Sequence, residues 1–494
     1  MTGPVTITRL DTGVPGLNAV LGGGLPEYSF NLIAGPPGCG KTTLAHQMMF
    51  ALASPERKAL YFTVLGEPAI KMLRYQQQFE FFDPDALTSR IRFINLSDDA
   101  VDGDLDRVQR RIASEVQSTG PGLVFVDSFR SVSLANGSDS TSTIRLQAFV
   151  QQLGVQMTSW QATTFLLGEY FSENDPNPVF TVADGIFWLR QSVERNSMVR
   201  KLEIMKMRGQ STQPGLHTFR ISLAGLNVFP SAIASVERQP KPPTGSARLS
   251  LGVAGLDTML DGGLPRGHSL LVAGPSGSGK SVLAASFVRE GIATGEASVI
   301  ALFEQRPSRV RNPVISSLIE TGRVGVVDSF ALDLSIDEVL QLLLNEIRRL
   351  SATRVVVDSL SGFELALAPT FRADFRESLA RFVLALGMEG VTVLLTSELE
   401  DRYTDLRFSP HGTAFLTDAI IVQRYIEVES RLRRMLAVVK VRGSSHSDEL
   451  CEYTIDDGCI HVGERLVEYE GLLGGRPRSL RSLPDSARSA SRQQ

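Results

Sequence analysis

The sequence predicts an α/β protein built from two tandem copies of one domain, each a mainly parallel sheet flanked by helices. Three observations predict it. The stretch LIAGPPGCGKTTLA at 32–45 returns as LVAGPSGSGKSVLA at 271–284. With Lys41 set over Lys280, an offset of 239, residues 13–45 lie over 252–284 without a gap, and 18 of 33 positions agree. That is far beyond compositional coincidence, and the period is too long for a solenoid, so the repeated unit is a whole domain. Second, short apolar runs alternate with helix-length segments in both halves: FNLIA, KALYFTV, GLVFV and ATTFLLG, then SLLVA, ASVIALF, RVVV and VTVLLT. Continuous apolar runs suit strands covered on both faces, the mark of a parallel sheet. Third, FPSAIASVERQPKPPTGSAR (229–248) loses hydrophobic periodicity and gathers Pro240, Pro242 and Pro243, which favour an extended linker.

In chain order these signals give a first domain over 1–229, a linker over 230–248, a second domain over 249–473 and a tail over 474–494. The opening MTGPVTITRLDTG has no basic segment followed by an apolar run, so it does not read as a signal peptide. No apolar run reaches the roughly 18 residues of a membrane span. An apolar fraction of 43% with 21% charged residues is that of a soluble globular protein. The net charge of −4 supplies no global basic field to draw nucleic acid or anionic lipid. Cys39, Cys451 and Cys459 read as reduced thiols and a cytoplasmic location. DEVLQLLLNEIRRL (337–350) reads as a helix. The tail carries Arg476, Arg478, Arg481, Arg488 and Arg492 among serines, with few large apolar residues. It is expected to be disordered or to order on a protein signalling partner, and it lacks the interleaved aromatics of a single-strand binder.

Both repeats match G-x-x-x-x-G-K-[ST], through Gly35, Gly38, Gly40, Lys41, Thr42 and Thr43, and through Gly274, Ser276, Gly277, Ser278, Gly279, Lys280 and Ser281. Glycines let successive backbone N–H groups converge on phosphate oxygens, and the following helix begins with its positive dipole end there. The lysine neutralises the β- and γ-phosphates of ATP, and the hydroxyl of Thr42 or Ser281 holds Mg²⁺. Asp127 and Asp358 each end an apolar strand, 86 and 78 residues past the lysine, as a second Mg²⁺-organising acid does. The plainer reading is an aspartate that caps the next helix.

GLPRGHSLLVAGPSGSGKS, VVVDSL, LTDAIIVQRYIEVESRLRRMLAVVKVRGSSH and the doubled organisation, over all but the first ten residues, the linker and the last twenty, make the sequence resemble the KaiC family of RecA-like ATPases. That resemblance implies double-ring homohexamers with ATP between subunits, ATP hydrolysis in a timing or signalling role, and serine/threonine autophosphorylation in the C-terminal ring. The family's Lys-x-Arg-Gly element falls on Lys206 and Arg208, and on Lys440 and Arg442. The resemblance implies that these cations reach the neighbouring subunit's γ-phosphate. An arginine supplied in trans stabilises charge developing on the phosphoryl oxygens; the alternative is an exposed basic strand end. His446 follows this element in the second copy, where the first has Thr212.

Two departures set the copies apart. The family's paired glutamates fall on Glu304 and Gln305 in the second copy, but on Leu65 and Gly66 in the first, with Glu67 one position late. A one-residue shift on an extended chain turns a side chain to the opposite face. A carboxylate that orients the nucleophile is worth 10²–10⁴-fold, so the second domain is expected to hydrolyse ATP through Glu304, with Lys280, Lys440 and Arg442, while the first binds ATP and turns it over poorly. The alternative keeps Glu67 in reach of the water. The family's acceptor Ser-Thr pair falls on Ala414 and Phe415, neither of which can take a phosphoryl group; Ser409, Thr413 and Thr417 lie nearby. Two further readings stand beside the ATPase: a nucleotide-gated signalling scaffold, and a DNA recombinase or helicase motor, for which no added DNA-binding module is visible.

Overall fold

Each repeat begins its sheet with the strand that leads into the glycine-rich loop, and the same nine-strand plan is built on it twice. In the first repeat the strands are β1 (Phe30–Gly35), β2 (Ala59–Thr63), β3 (Ile91–Asn95), β4 (Leu123–Asp127), β5 (Thr163–Glu169), β6 (Gly185–Glu194), β7 (Ser197–Met207), β8 (His217–Ser222) and β9 (Gly225–Phe229). In the second they are β10 (Ser269–Gly274), β11 (Ser298–Leu302), β12 (Val324–Asp328), β13 (Arg354–Asp358), β14 (Thr392–Glu398), β15 (Ala419–Val428), β16 (Arg431–Val441), β17 (Leu450–Asp456) and β18 (Cys459–Arg465). The strand orders are β9-β8-β7-β6-β1-β5-β4-β2-β3 and β18-β17-β16-β15-β10-β14-β13-β11-β12, one the counterpart of the other. This computed structural model describes residues 7–64, 69–100, 104–128, 140–172, 177–194, 197–231, 247–303, 313–328, 333–399, 415–428, 430–467, 469–472 and 478–479. The chain divides into two units, Met1–Ala234 and Ser235–Gln494.

Six strands of each sheet run parallel, with β1 or β10 between its two parallel neighbours. Their burial is continuous, as in β2 and β4, where apolar side chains point to both faces. Leu32, Ala34, Leu60, Phe62, Val124 and Val126 pack on one face beneath the helix Leu105–Thr119. Ile33, Tyr61, Phe125 and Phe165 pack on the other, against Leu44 and Met48 of the helix Lys41–Leu52. The remaining strands, β7–β9 and β16–β18, add on antiparallel. Their broken burial, as in β7, is that of strands with one wetter face.

The helix expected at 337–350 runs Ile336–Leu350, with the Ser335 side chain accepting from the Glu338 N–H, acids in its first turn and Arg348 and Arg349 in its last. The three cysteines are free thiols. Most of the linker and tail lies outside the described residues. Within the tail, Arg478–Ser479 pairs antiparallel with Tyr469–Glu470. Among the described residues no helix is long and apolar enough to cross a membrane.

Candidate functional site

The loops that follow β1 and β10 are shaped alike. Gly38 and Gly40 take φ of 74° and 106°, and Gly277 and Gly279 take 75° and 101°, the left-handed region that glycine enters freely. Space is as restrictive as torsion. A Cβ on Gly40 would stand 2.7 Å from Ile221 Cδ1, and one on Gly279 2.5 Å from Ile455 Cδ1, because β8 and β17 fold over the loops. The helices Lys41–Leu52 and Lys280–Ala293 start directly after these glycines with no side-chain cap, leaving their first N–H groups facing the loop. Lys41 Nζ donates to the carbonyls of Gly35 (3.0 Å) and Pro36 (2.9 Å), and Lys280 Nζ to those of Gly274 (2.8 Å) and Pro275 (2.9 Å). Each ammonium is therefore held at the mouth of its own loop.

A cavity of about 360 Å³ opens in the first repeat, lined among others by Gly38, Lys41, Thr42, Thr43, Asp127 and Glu169. Thr42 Oγ1 donates to Asp127 Oδ2 at 3.0 Å and the Tyr61 hydroxyl to the same oxygen at 2.8 Å. Burial pushes the Asp127 carboxyl up, and the two hydroxyls oppose that by stabilising the anion. Burial also pushes the Tyr61 phenol well up, with the Asp127 charge adding to it, so Tyr61 is the donor. In the second repeat Asp358 Oδ1 accepts instead from Thr396 Oγ1 at 2.5 Å. The peptide after each aspartate is cis. The helix Leu360–Ala366 is capped by Ser359, whose side chain accepts from the Gly362 N–H, so Asp358 is not spent as a cap. A hydroxyl oxygen and a carboxylate oxygen side by side at a phosphate-type loop are the hard donors that suit Mg²⁺. Thr42 with Asp127 would hold it, where it would neutralise phosphate charge; Ser281 and Asp358 occupy the matching positions of the second repeat.

Not every loop residue presents a side chain. Ser276 and Gly277 are exposed. Ser278 is fully buried, its hydroxyl donating to Gln423 Oε1 at 3.2 Å and its carbonyl accepting from the Tyr453 hydroxyl. Its N–H donates to the Pro275 carbonyl at 3.3 Å, and buried Cys39 in the first repeat places its Sγ 3.9 Å from Lys41 Nζ.

Lys206, Arg208, Lys440 and Arg442 lie at the other end of the sheets. Lys206 stands opposite Ile186, and Gly185 pairs with Asn31 near the start of β1, whereas the loop follows the end of that strand. Lys440 stands likewise opposite Ile420, beside the start of β10. A six-residue strand is about 17–20 Å long, so no cation of this element meets the loop of its own repeat. A register shift follows each lysine's pair, between Ile186 and Phe187 and between Ile420 and Ile421, and such bulges re-aim side chains. Arg208 pairs with Asp184 at 3.0 Å and Arg442 with Asp418 at 3.4 Å. The second oxygen of each aspartate accepts the first N–H of the loop strand, from Phe30 at 3.1 Å and from Ser269 at 2.9 Å. Burial and the neighbouring arginine lower both lysine pKa values.

Glu304, Gln305, Leu65, Gly66 and Glu67 lie outside the described residues, as do Ser409, Thr413 and Ala414. Phe415 is exposed beneath the Arg376 guanidinium, 4.8 Å from its ring centre. Thr417 is 1% exposed, a poor position for a phosphoryl acceptor. His446 is half-buried. Sequence reasoning missed Tyr61, Thr396 and Glu169; only the register of neighbouring strands, read together, would have suggested them.

The family model for the KaiC ATPase matches twice, over residues 10–233 and 249–467. The circadian clock oscillator protein KaiC of Picosynechococcus sp. is 26% identical over 489 residues, covering 95% of this chain and 92% of that protein. The circadian clock protein KaiC3 of Synechocystis sp. is 26% identical over 491 residues, covering 95% of each. The oscillator protein KaiC of Synechococcus elongatus is 26% identical over 489 residues, covering 95% and 92%.

Proposed function

The chain belongs to the KaiC ATPase family, and we propose that it is an oligomeric, Mg²⁺-dependent ATPase whose second domain carries most of the turnover. One observation carries the reading: each repeat pairs a phosphate loop at one end of its sheet with a Lys-x-Arg-Gly element at the other. A site so divided is completed by the element of another subunit, in the manner of a homohexamer, with Lys206 and Arg208 serving a neighbour's first loop and Lys440 and Arg442 a neighbour's second. Hydrolysis then needs assembly, because the charge on the departing phosphoryl oxygens is met only across an interface. Glu304 aims the attacking water in the second domain; Leu65 at the matching place has no proton-accepting atom. The relatives' printed names support a role in timing, with slow turnover setting how long a conformational state lasts.

Autophosphorylation at the family's usual position is not part of this reading, since Ala414 and Phe415 occupy it. The test is sizing of the full chain with and without Mg-ATP while phosphate release is recorded. ATP-dependent assembly with turnover is expected. Assembly without turnover would favour a nucleotide-gated scaffold, and turnover by a dilute monomer would sink the divided-site reading.

A further inference from the structure

We infer that Tyr61 is a positioning residue of the first nucleotide site, fixing one oxygen of Asp127 so that the other is presented to the nucleotide's cation. The inference rests on reading the first loop as a nucleotide site. Tyr61 is fully buried, and its ring is gripped by His46 at 4.6 Å, Phe93 at 5.1 Å and Phe125 at 5.9 Å between centres. A phenol held on three sides has little freedom to re-aim its hydroxyl, and a buried hydroxyl needs a partner. That partner is Asp127 Oδ2, 66 residues away in sequence. Thr42 donates to the same oxygen, so among the described residues both hydroxyls leave Oδ1 to other ligands. The two donors differ in what else claims them. Thr42 stands at the cation-holding place of its motif, so its hydroxyl serves the carboxylate or the cation. Tyr61 faces only the carboxylate, and it keeps the anion oriented whichever Thr42 does. Outer donors of this kind are how a ligand is aimed before the ion arrives.

The second repeat meets the same need from the opposite side. Ile300 occupies the place of Tyr61, third in its strand, and Thr396, on the other neighbouring strand, anchors Asp358. Thr396 matches Leu167, fifth in its strand, which is registered against Asp127.

The experiment uses the full chain with the second site disabled by Lys280→Ala, and measures ATP affinity by calorimetry with Mg²⁺ and with EDTA. Tyr61→Phe keeps the ring and removes only the hydroxyl. It is expected to lose about tenfold of the tightening that Mg²⁺ confers, with the EDTA affinity unchanged. Adding Leu167→Thr to Tyr61→Phe is expected to restore part of that tightening, since it supplies the second repeat's donor, and a purely structural tyrosine would not be rescued this way. An unchanged Mg²⁺ effect in Tyr61→Phe, or an equal loss with Mg²⁺ and with EDTA, would overturn the inference. Absence of ATP binding in the Lys280→Ala parent would overturn the nucleotide reading of the first loop, and this inference with it.

Discussion

Beneath the aspartate-bearing strands the two repeats use one register and two chemistries. In the first sheet Phe93, Tyr61, Phe125 and Phe165 are each third in their strands and lie side by side across β3, β2, β4 and β5. In the second, Val326, Ile300, Val356 and Leu394 stand at the same crossings. The helix above follows suit, with His46 five residues past Lys41 and Ala285 five past Lys280. One layer is therefore a stack of rings, with the Tyr61 hydroxyl on Asp127 and the His46 ring edge-on to Tyr61, and the other is aliphatic throughout. The fold tolerates both because a parallel sheet asks for volume and apolarity, not for particular atoms. What differs is the source of the hydroxyl that steadies each aspartate, a phenol from one side or a threonine from the other. A backbone plan can thus be copied faithfully while its support for the site is rebuilt.

Matched changes in the two repeats test this contrast. The largest effect concerns turnover. Glu304→Gln is expected to remove 10²-fold or more of phosphate release, whereas Lys41→Ala, which disables only the first loop, leaves most of it. Equal losses from the two would erase the division of labour. Next is packing: Phe125→Ala is expected to cost about 4 kcal/mol, seen as faster hydrogen exchange in β4. Val356→Ala, which removes far less from the matching layer, is expected to cost less and to act in β13.

A comparable effect follows from acid. Burial holds the His46 imidazole down at about 4 against an ordinary 6.5. Because the native state resists protonation there, its stabilising margin is whole above pH 6.5 and shrinks as pH falls toward 4, where the unfolded chain binds the proton first. The loss across that window is about 3 kcal/mol. It is expected in the first repeat and not at Ala285, and His46→Leu should flatten the pH dependence of unfolding. If the first repeat's unfolding is equally pH-dependent in His46→Leu, the imidazole is not the cause. The smallest effect is Thr396→Val, expected to cost about 1 kcal/mol and to weaken Mg-ATP binding at the second site only.

Much of this was legible in the chain. The loops, four of the six parallel strands of each sheet, both aspartates and the helix over 337–350 carry local signals: glycine spacing, unbroken apolar runs and a helical apolar period. The antiparallel strands were harder, because half-wet strands such as SMVRKLEIMKM mix charges among apolar residues and show no clean period. Tyr61 sits inside ALYFT and reads as one more apolar strand residue, since its partner is set by register rather than by neighbourhood. The same limit hid Arg354, a fully buried guanidinium tied to Glu296 at 2.6 Å and lying 4.7 Å over the Phe287 ring. Its sequence context announces only the first residue of a strand. Chain order likewise could not say that Lys206 and Arg208 lie a strand's length from their own loop.

That last separation has a consequence for genetics and for dilution. The second repeat is divided in the same way. A protein lacking Lys280 still offers Arg442, and one lacking Arg442 still offers Lys280, so two individually defective chains mixed together would be expected to form some intact interfaces and regain function neither has alone. On the proposed divided site, specific activity is expected to climb with protein concentration before levelling off. Abundance itself would then act as an input that this molecule can read.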